Sequence, residues 1–200
     1  MIQKISHYIL RLNGWKIIHT PMPKNKYLII GAPHTSNWDF PLALLCLSAL
    51  HLRFWWAAKH SLFHFPLGWF FRKMGGIAVN RRVRNDFLRT IKKEYNKREE
   101  FILAIAPEGT RSFTNHWKCG FYQIAIEAEV DIALAFLDYS TKTMGIGKII
   151  QPSGNIEEDF EKIAAFYHDI KGKYPEKQST IAIRANELKH FKRMQEGQKN

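Results

Sequence analysis

The segment Tyr27-Leu28-Ile29-Ile30-Gly31-Ala32-Pro33-His34-Thr35-Ser36-Asn37-Trp38-Asp39 decides the architecture of this chain. Its apolar run at 27–30 is bounded by Lys and Asn before it and Gly-Ala-Pro after it, so it reads as a buried strand ending in a turn. His34 falls on that turn. Ser36, Asn37 and Asp39 are residue types that cap helices, Pro41 suits a first helical turn, and residues 42–50 have the apolar content of a packed helix. The predicted order is strand, His-bearing loop, Asp, helix.

On one continuous helix a residue and its fifth successor lie about 140° apart and do not meet. Across a loop-to-helix corner the chain can fold Asp39 back on His34. Such a pair supplies a general base, because imidazole titrates near neutrality while a carboxylate on its other nitrogen fixes the tautomer and stabilises the imidazolium. The alternative is a capping Asp beside an unrelated loop His.

With 200 residues the chain has enough material for one domain with an enclosed site, and no repeat or low-complexity linker divides it. Cys46 and Cys119 have neither metal-ligand nor disulfide-framework spacing, which points to a reducing compartment. The N-terminus lacks the apolar core of a signal peptide, and no apolar run approaches the roughly 20 residues of a membrane span. The net charge of +12 is concentrated: residues 59–98 hold eleven Lys and Arg against Asp86 and Glu94. That field suits nucleic acid, an anionic membrane or a phosphorylated substrate.

Residues 2–18 place Ile2, Ile5, Ile9 and Leu12 on one helical stripe with Lys4, Arg11 and Lys16 elsewhere, the pattern of an amphipathic N-terminal helix over 1–19 weakened at Gly14. Residues 52–58 form a predicted strand leading to Lys59. The following segment to Phe71 is dense in aromatics, suited to core packing, an acyl-chain tunnel or a lipid interface. A turn and short strand at 75–81 deliver Arg81, and 83–98 reads as a basic surface helix. The strand at 101–106 stops at Pro107-Glu108-Gly109-Thr110-Arg111-Ser112, where Gly109 permits close backbone approach and Arg111 has the bidentate fork that phosphate prefers. Glu108 and Arg111 paired with each other is the plainer alternative. Strands at 130–136 and 147–152, a helix at 156–170, a loop at 172–178, an edge strand at 180–183 and a helix at 186–195 complete the reading, with no chemistry beyond residue 140.

His-Thr-Ser-Asn-Trp-Asp at 34–39 followed by Pro-Glu-Gly-Thr-Arg-Ser at 107–112 resembles the glycerolipid acyltransferase superfamily, which includes bacterial 1-acyl-glycerol-3-phosphate acyltransferases. Lys59, Gly-Gly-Ile-Ala-Val-Asn-Arg at 75–81 and Trp-Lys-Cys-Gly-Phe at 117–121 stand in register with the family's intermediate and following blocks, so the resemblance runs from about residue 26 to 140. Two departures stand out: the strand at 130–136 has none of the family's prolines, and Asn80 replaces an acidic residue common before the Arg.

The resemblance implies an α/β fold, a mixed, largely parallel sheet flanked by helices with the site at the strand ends, and a motif-bearing core at 26–140 within a single domain of 1–200. It implies transfer of a fatty acyl group from coenzyme A or acyl carrier protein to the hydroxyl of a lysophospholipid or glycerol phosphate, lysophosphatidic acid foremost. In that scheme His34 deprotonates the hydroxyl and Asp39 orients His34. Arg81, Arg111 and Lys59 bind the acceptor phosphate, Glu108 positions acceptor hydroxyls or the phosphate-binding Arg, and Gly109 and Thr110 shape the pocket. No metal or resident cofactor is implied, and Ser36, Cys46 and Cys119 are read as structural. The expected location is the cytoplasmic face of the cell membrane, held peripherally on anionic lipid. An amino-lipid or glycolipid acceptor is the alternative within enzymes. A non-catalytic basic membrane or nucleic-acid binder is the alternative outside them, although no nucleic-acid-binding signature is present.

Overall fold

Strand β2 (Lys26–Ala32) sits in the middle of the molecule because both of its faces are apolar. Leu28, Ile30 and Ala32 pack toward one layer of helices while Tyr27 and Ile29 pack toward the other, as the two-residue period of a strand requires. The computed structural model describes residues 2–22, 24–64, 66–79 and 84–197.

Around β2 assemble β1 (Lys16–His19), β3 (Trp55–Lys59), β4 (Gly76–Val79), β5 (Phe101–Ile105), β6 (Asp131–Asp138) and β7 (Thr143–Ile150). They form one sheet in the order β1-β7-β6-β2-β5-β3-β4. Strands β6, β2, β5, β3 and β4 run parallel; β7 is antiparallel to β6, and β1 follows β7 in its direction. This is the mixed, largely parallel α/β sheet expected.

The helices are α1 (Ile2–Leu12), α2 (Asp39–Ala49), α3 (Leu67–Lys73), α4 (Arg84–Lys97), α5 (Gly120–Glu127), α6 (Ile156–Tyr167) and α7 (Ala185–Gly197). Buried residues of α4, α5, α6 and α7 cover the Leu28 face of the sheet. Leu47 of α2 covers the Tyr27 face, and Cys46 of α2 and Leu10 of α1 pack beside it with Trp15 and Met144. Chain connections leave β2 and β5 toward opposite edges of the sheet, so their C-terminal ends mark a topological switch point, the place where open α/β sheets hold ligands.

Three expectations are corrected. The N-terminal helix ends at Leu12, not near 19, because Gly14 takes φ +78° and turns the chain into β1, which pairs with β7. Residues 180–183 form no strand; Thr180 N–H and Ala182 C=O instead bond the 114–117 loop, at 3.0 and 2.9 Å. Strand β7 starts at Thr143, earlier than the expected 147. The aromatic segment divides in two: Trp56, Phe63 and Phe71 cluster inward with Phe40, whereas Trp69 and Phe70 are exposed.

Candidate active site

The loop after β2 carries His34, and α2 begins with Asp39. None of Ser36, Asn37 or Asp39 caps that helix through its side chain: the N-cap position is Trp38, and the Asp39 carboxylate turns back onto the loop that precedes it. Asp39 Oδ2 accepts from Thr35 N–H at 2.9 Å and Ser36 N–H at 2.8 Å, and lies 3.0 Å from His34 Nδ1. Its other oxygen, Oδ1, accepts from Tyr139 O–H at 2.7 Å.

Electrostatics at this corner favour a carboxylate. Burial alone pushes the Asp39 carboxyl up, but hydrogen bonds from His34, Tyr139 and Ser36 outweigh it and hold the group below the usual range. With Asp39 ionised, the neutral tautomer of His34 that fits the pair has its proton on Nδ1 and its lone pair on Nε2. The imidazole is one quarter exposed while Asp39 is buried, so His34 is the member of the pair that solvent reaches.

Glu108 reaches the same loop from the end of β5. Its carboxylate accepts the backbone N–H of His34 at 2.9 and 3.1 Å, so it fixes the loop that carries His34. Burial pushes its carboxyl up to about 7, with the His34 N–H opposing the rise. Glu108 and Arg111 do not pair with each other: Arg111 extends along the surface and donates to Asn37 Oδ1. Gly109 holds φ +68°, and a Cβ there would stand 2.6 to 2.9 Å from the Lys118 side chain, which folds over the turn. Thr110 is exposed, and its hydroxyl accepts Ser112 N–H within the same turn.

Behind the corner, Tyr167 of α6 is buried with its hydroxyl 3.0 Å from the Ile30 carbonyl and 2.9 Å from that of Ala135, wedged between the ends of β2 and β6. Ser36 is also buried, and its hydroxyl accepts Trp38 N–H. Burial pushes the Cys46 thiol up to about 12, and Cys119 is buried at the N-cap of α5. None of the three is arranged as a nucleophile beside His34.

Sequence reasoning placed His34, Asp39, Glu108 and Arg111 in one region, and the fold brings them together. Lys59 closes β3, a strand separated from β2 by β5, and its side chain falls outside the described residues. Arg81 lies outside the described residues altogether. Tyr139 was missed, since the predicted strand stopped at Phe136 and nothing local marks a Tyr that meets an Asp one hundred positions earlier. Among the described residues no group of three His, Cys, Asp or Glu side chains converges as metal ligands.

A family model described as Acyltransferase matches residues 16–137, the span that runs from β1 through the His34 corner and the Glu108 turn to the end of β6. This chain belongs to the acyltransferase family. No curated protein matches this acyltransferase. Its fold is similar to the crystal structure of the 1-acyl-sn-glycerophosphate (LPA) acyltransferase PlsC from Thermotoga maritima, with 21% sequence identity and a TM-score of 0.55. The match covers 82% of this chain and 74% of that one.

Proposed function

We propose that this acyltransferase moves a fatty acyl group from a thioester of coenzyme A or acyl carrier protein to the hydroxyl of a lysophospholipid or glycerol phosphate, with lysophosphatidic acid as the foremost acceptor. The observation that carries the reading is the 3.0 Å contact between His34 Nδ1 and the ionised, four-fold hydrogen-bonded Asp39. The acceptor class comes from the motif resemblance and from the likeness in fold to a lysophosphatidic acid acyltransferase.

His34 Nε2 takes the proton of the acceptor hydroxyl as its oxygen attacks the thioester carbonyl. Asp39 keeps the imidazole oriented and offsets the positive charge that appears on it. The tetrahedral intermediate collapses with cleavage of the C–S bond, and the imidazolium returns the proton to the departing thiolate. An ester and a free thiol result, and no acyl-enzyme is formed. Arg111, exposed beside Asn37, supplies a guanidinium for the acceptor phosphate. Glu108 holds the His34 backbone, beside the positioning of acceptor hydroxyls or of the phosphate-binding Arg that the motif implies.

No helix among the described residues is long and apolar enough to cross a membrane. The reading includes peripheral attachment to the anionic inner face of the cell membrane. Supporting it, Ile2, Ile5, Tyr8 and Leu12 of α1 are exposed together, and Trp69 and Phe70 of α3 are exposed beside Lys73.

The test is thiol release from long-chain acyl-coenzyme A by wild type and His34→Ala, with and without lysophosphatidic acid in liposomes. Release that requires both the acceptor and His34 is the expected result. Release that His34→Ala retains in full overturns the mechanism. Turnover with monoacylglycerol equal to that with lysophosphatidic acid replaces the acceptor by a phosphate-free lipid.

A further inference from the structure

The segment 171–178 lies beyond the residues the family model matches, yet it is built into the active-site corner. Tyr139 N–H donates to the Lys171 carbonyl at 2.9 Å, and Lys171 N–H donates to Asp138 Oδ1 at 3.3 Å. Tyr174 N–H donates to the hydroxyl of buried Thr35 at 3.2 Å. Gly172 lies so close to the catalytic loop that a Cβ on it would stand 2.8 Å from Thr35 Oγ1 and 3.2 Å from Pro33 Cγ. Gln178 closes the segment on itself, accepting Gly172 N–H at 2.9 Å and donating to the Ile170 carbonyl at 3.1 Å. These bonds hold the backbone in one place against the loop that carries His34.

The segment presents cations there, Lys171, Lys173 and Lys177 against Glu176. Lys173 Nζ stands 5.5 Å from the ring of Trp38, the residue just before Asp39, and 5.8 Å from that of Tyr174. Lys177 Nζ stands 4.5 Å from Tyr174. Neither lysine forms an ion pair among the described residues, and neither does Arg111, which holds Asn37 next to Trp38. Aromatic faces orient an ammonium without neutralising it, so each lysine keeps its donors and its charge available to an anion.

We propose that Lys173, backed by Lys177, binds a phosphate group of a substrate lying at His34. This rests on the acyl-transfer reading, in which both substrates carry phosphate: the acceptor as a phosphomonoester, the donor in its coenzyme A or phosphopantetheine arm. Trp38 and Tyr174 set where the Lys173 ammonium stands, and the bonds of Thr35 and Gly172 set where the segment stands. Arg111 reaches Asn37 and Lys173 reaches Trp38, so both cations border the Asn37–Trp38 turn that leads into Asp39.

Lysine-directed acylation of the full chain, read residue by residue by mass spectrometry, tests this without turnover. The probes are two pairs: coenzyme A with pantetheine, and lysophosphatidic acid with monoacylglycerol. Protection of Lys173 by the phosphate-bearing member of one pair and not by its phosphate-free counterpart is expected, and the pair that shows it identifies whose phosphate is bound. No protection by any probe, or equal protection by both members of each pair, overturns the proposal. Absence of thiol release by wild type would count against the acyl-transfer reading alone, leaving the footprint to judge the phosphate site. In turnover, Lys173→Ala is expected to raise KM for that substrate about tenfold with kcat retained, as loss of one charge-assisted contact does, and Lys173→Arg to restore it. An unchanged KM overturns it.

Discussion

Tyr139 donates its hydroxyl to Asp39 Oδ1 at 2.7 Å across one hundred residues of chain, joining the end of β6 to the first residue of the helix after β2. The bond occupies the side of the carboxylate that His34, Thr35 and Ser36 leave open. Burial and the neighbouring carboxylate push the Tyr139 phenol up from its ordinary range, so it remains a donor at every pH at which the enzyme works. Trp15 meets its ring edge-on at 5.2 Å and fixes its direction.

Tyr139→Phe removes that donor and leaves the ring. The carboxylate loses one of the donors that hold it low and becomes more basic, and the imidazole beside it is less firmly oriented, so kcat/KM is expected to fall about tenfold. Loss of the bond from a buried charged acceptor costs about 1–3 kcal/mol of stability. Steady-state kinetics and a denaturant titration check both, and an unchanged kcat/KM would show that Tyr139 does not act through the pair.

In Asp39→Asn one oxygen replaces two. The amide keeps its oxygen toward His34, Thr35 and Ser36 and turns its NH2 to Tyr139, whose hydroxyl can rotate to accept. The fold therefore survives, but the charge that stabilises imidazolium is gone. The rate is expected to fall by about 10²–10⁴ while the melting temperature changes little. Steady-state kinetics beside thermal melts would show it, and a rate within threefold of wild type would remove Asp39 from the mechanism.

Glu108 makes a claim about stability. Its carboxyl goes from 4.5 when unfolded to about 7 when buried, so the native state binds the extra proton between those values. The stabilisation from the protonated form is complete below pH 4.5 and is lost as pH rises through 7, up to about 3 kcal/mol in all. Glu108→Gln keeps an acceptor for His34 N–H and has nothing to titrate. Wild type should lose melting temperature between pH 5 and 8 while the variant stays flat. The low-lying Asp39 carboxyl contributes its own change only at more acid pH. Parallel curves for the two proteins would contradict the burial argument.

Local patterns carried the parts of this site that local forces make. Residues 27–30 and 101–106 were legible as strands because both are uninterrupted apolar runs ended by a turn-forming Pro, and the His34 and Glu108 turns follow directly. What was hidden depends on pairing across the chain. Asp39 looked like a cap because a short acid at a helix start usually is one; its partners prove to be the loop behind it and the Tyr just after β6. The helix break at Gly14 was visible as a weakness, but β1 exists only because β7 offers an edge to pair with. Residues 171–178 carry no motif, and they reach the site because α6 returns the chain to the end of β6.

The proposed membrane attachment gives the exposed stripe on α1 a testable role. Removing residues 1–19 would also delete β1 and the buried Leu10 and Trp15, so a surface substitution is the cleaner probe. Ile5→Asp with Leu12→Asp leaves the Ser6 and Leu10 contacts with α2 in place. Wild type should sediment with anionic liposomes and be released by high salt, and the double variant should stay in the supernatant at low salt. Equal sedimentation of the two would remove α1 from the lipid contact, and a wild type that stays in the supernatant would overturn the attachment itself.

Gly172→Ala tests whether the 171–178 segment is part of the site or merely near it. A methyl there meets Thr35 Oγ1 at 2.8 Å, Thr35 Cγ2 at 3.0 Å and Pro33 Cγ at 3.2 Å, all on the loop that bears His34. Thr35 cannot give way freely, since its N–H is bonded to Asp39 and its hydroxyl accepts Tyr174 N–H. Either the segment retreats, taking Lys173 from Trp38, or the catalytic loop shifts and lengthens the His34–Asp39 contact. Overpacking of this kind costs about 1–3 kcal/mol. The two responses separate in kinetics: retreat of the segment raises KM with kcat nearly intact, whereas a shifted loop lowers kcat. Thr35→Ser with Gly172→Ala removes the Cγ2 contact, keeps the hydroxyl and should recover part of the loss. A Gly172→Ala protein with wild-type stability and kinetics would show that the segment yields at no cost and has no hold on the catalytic loop.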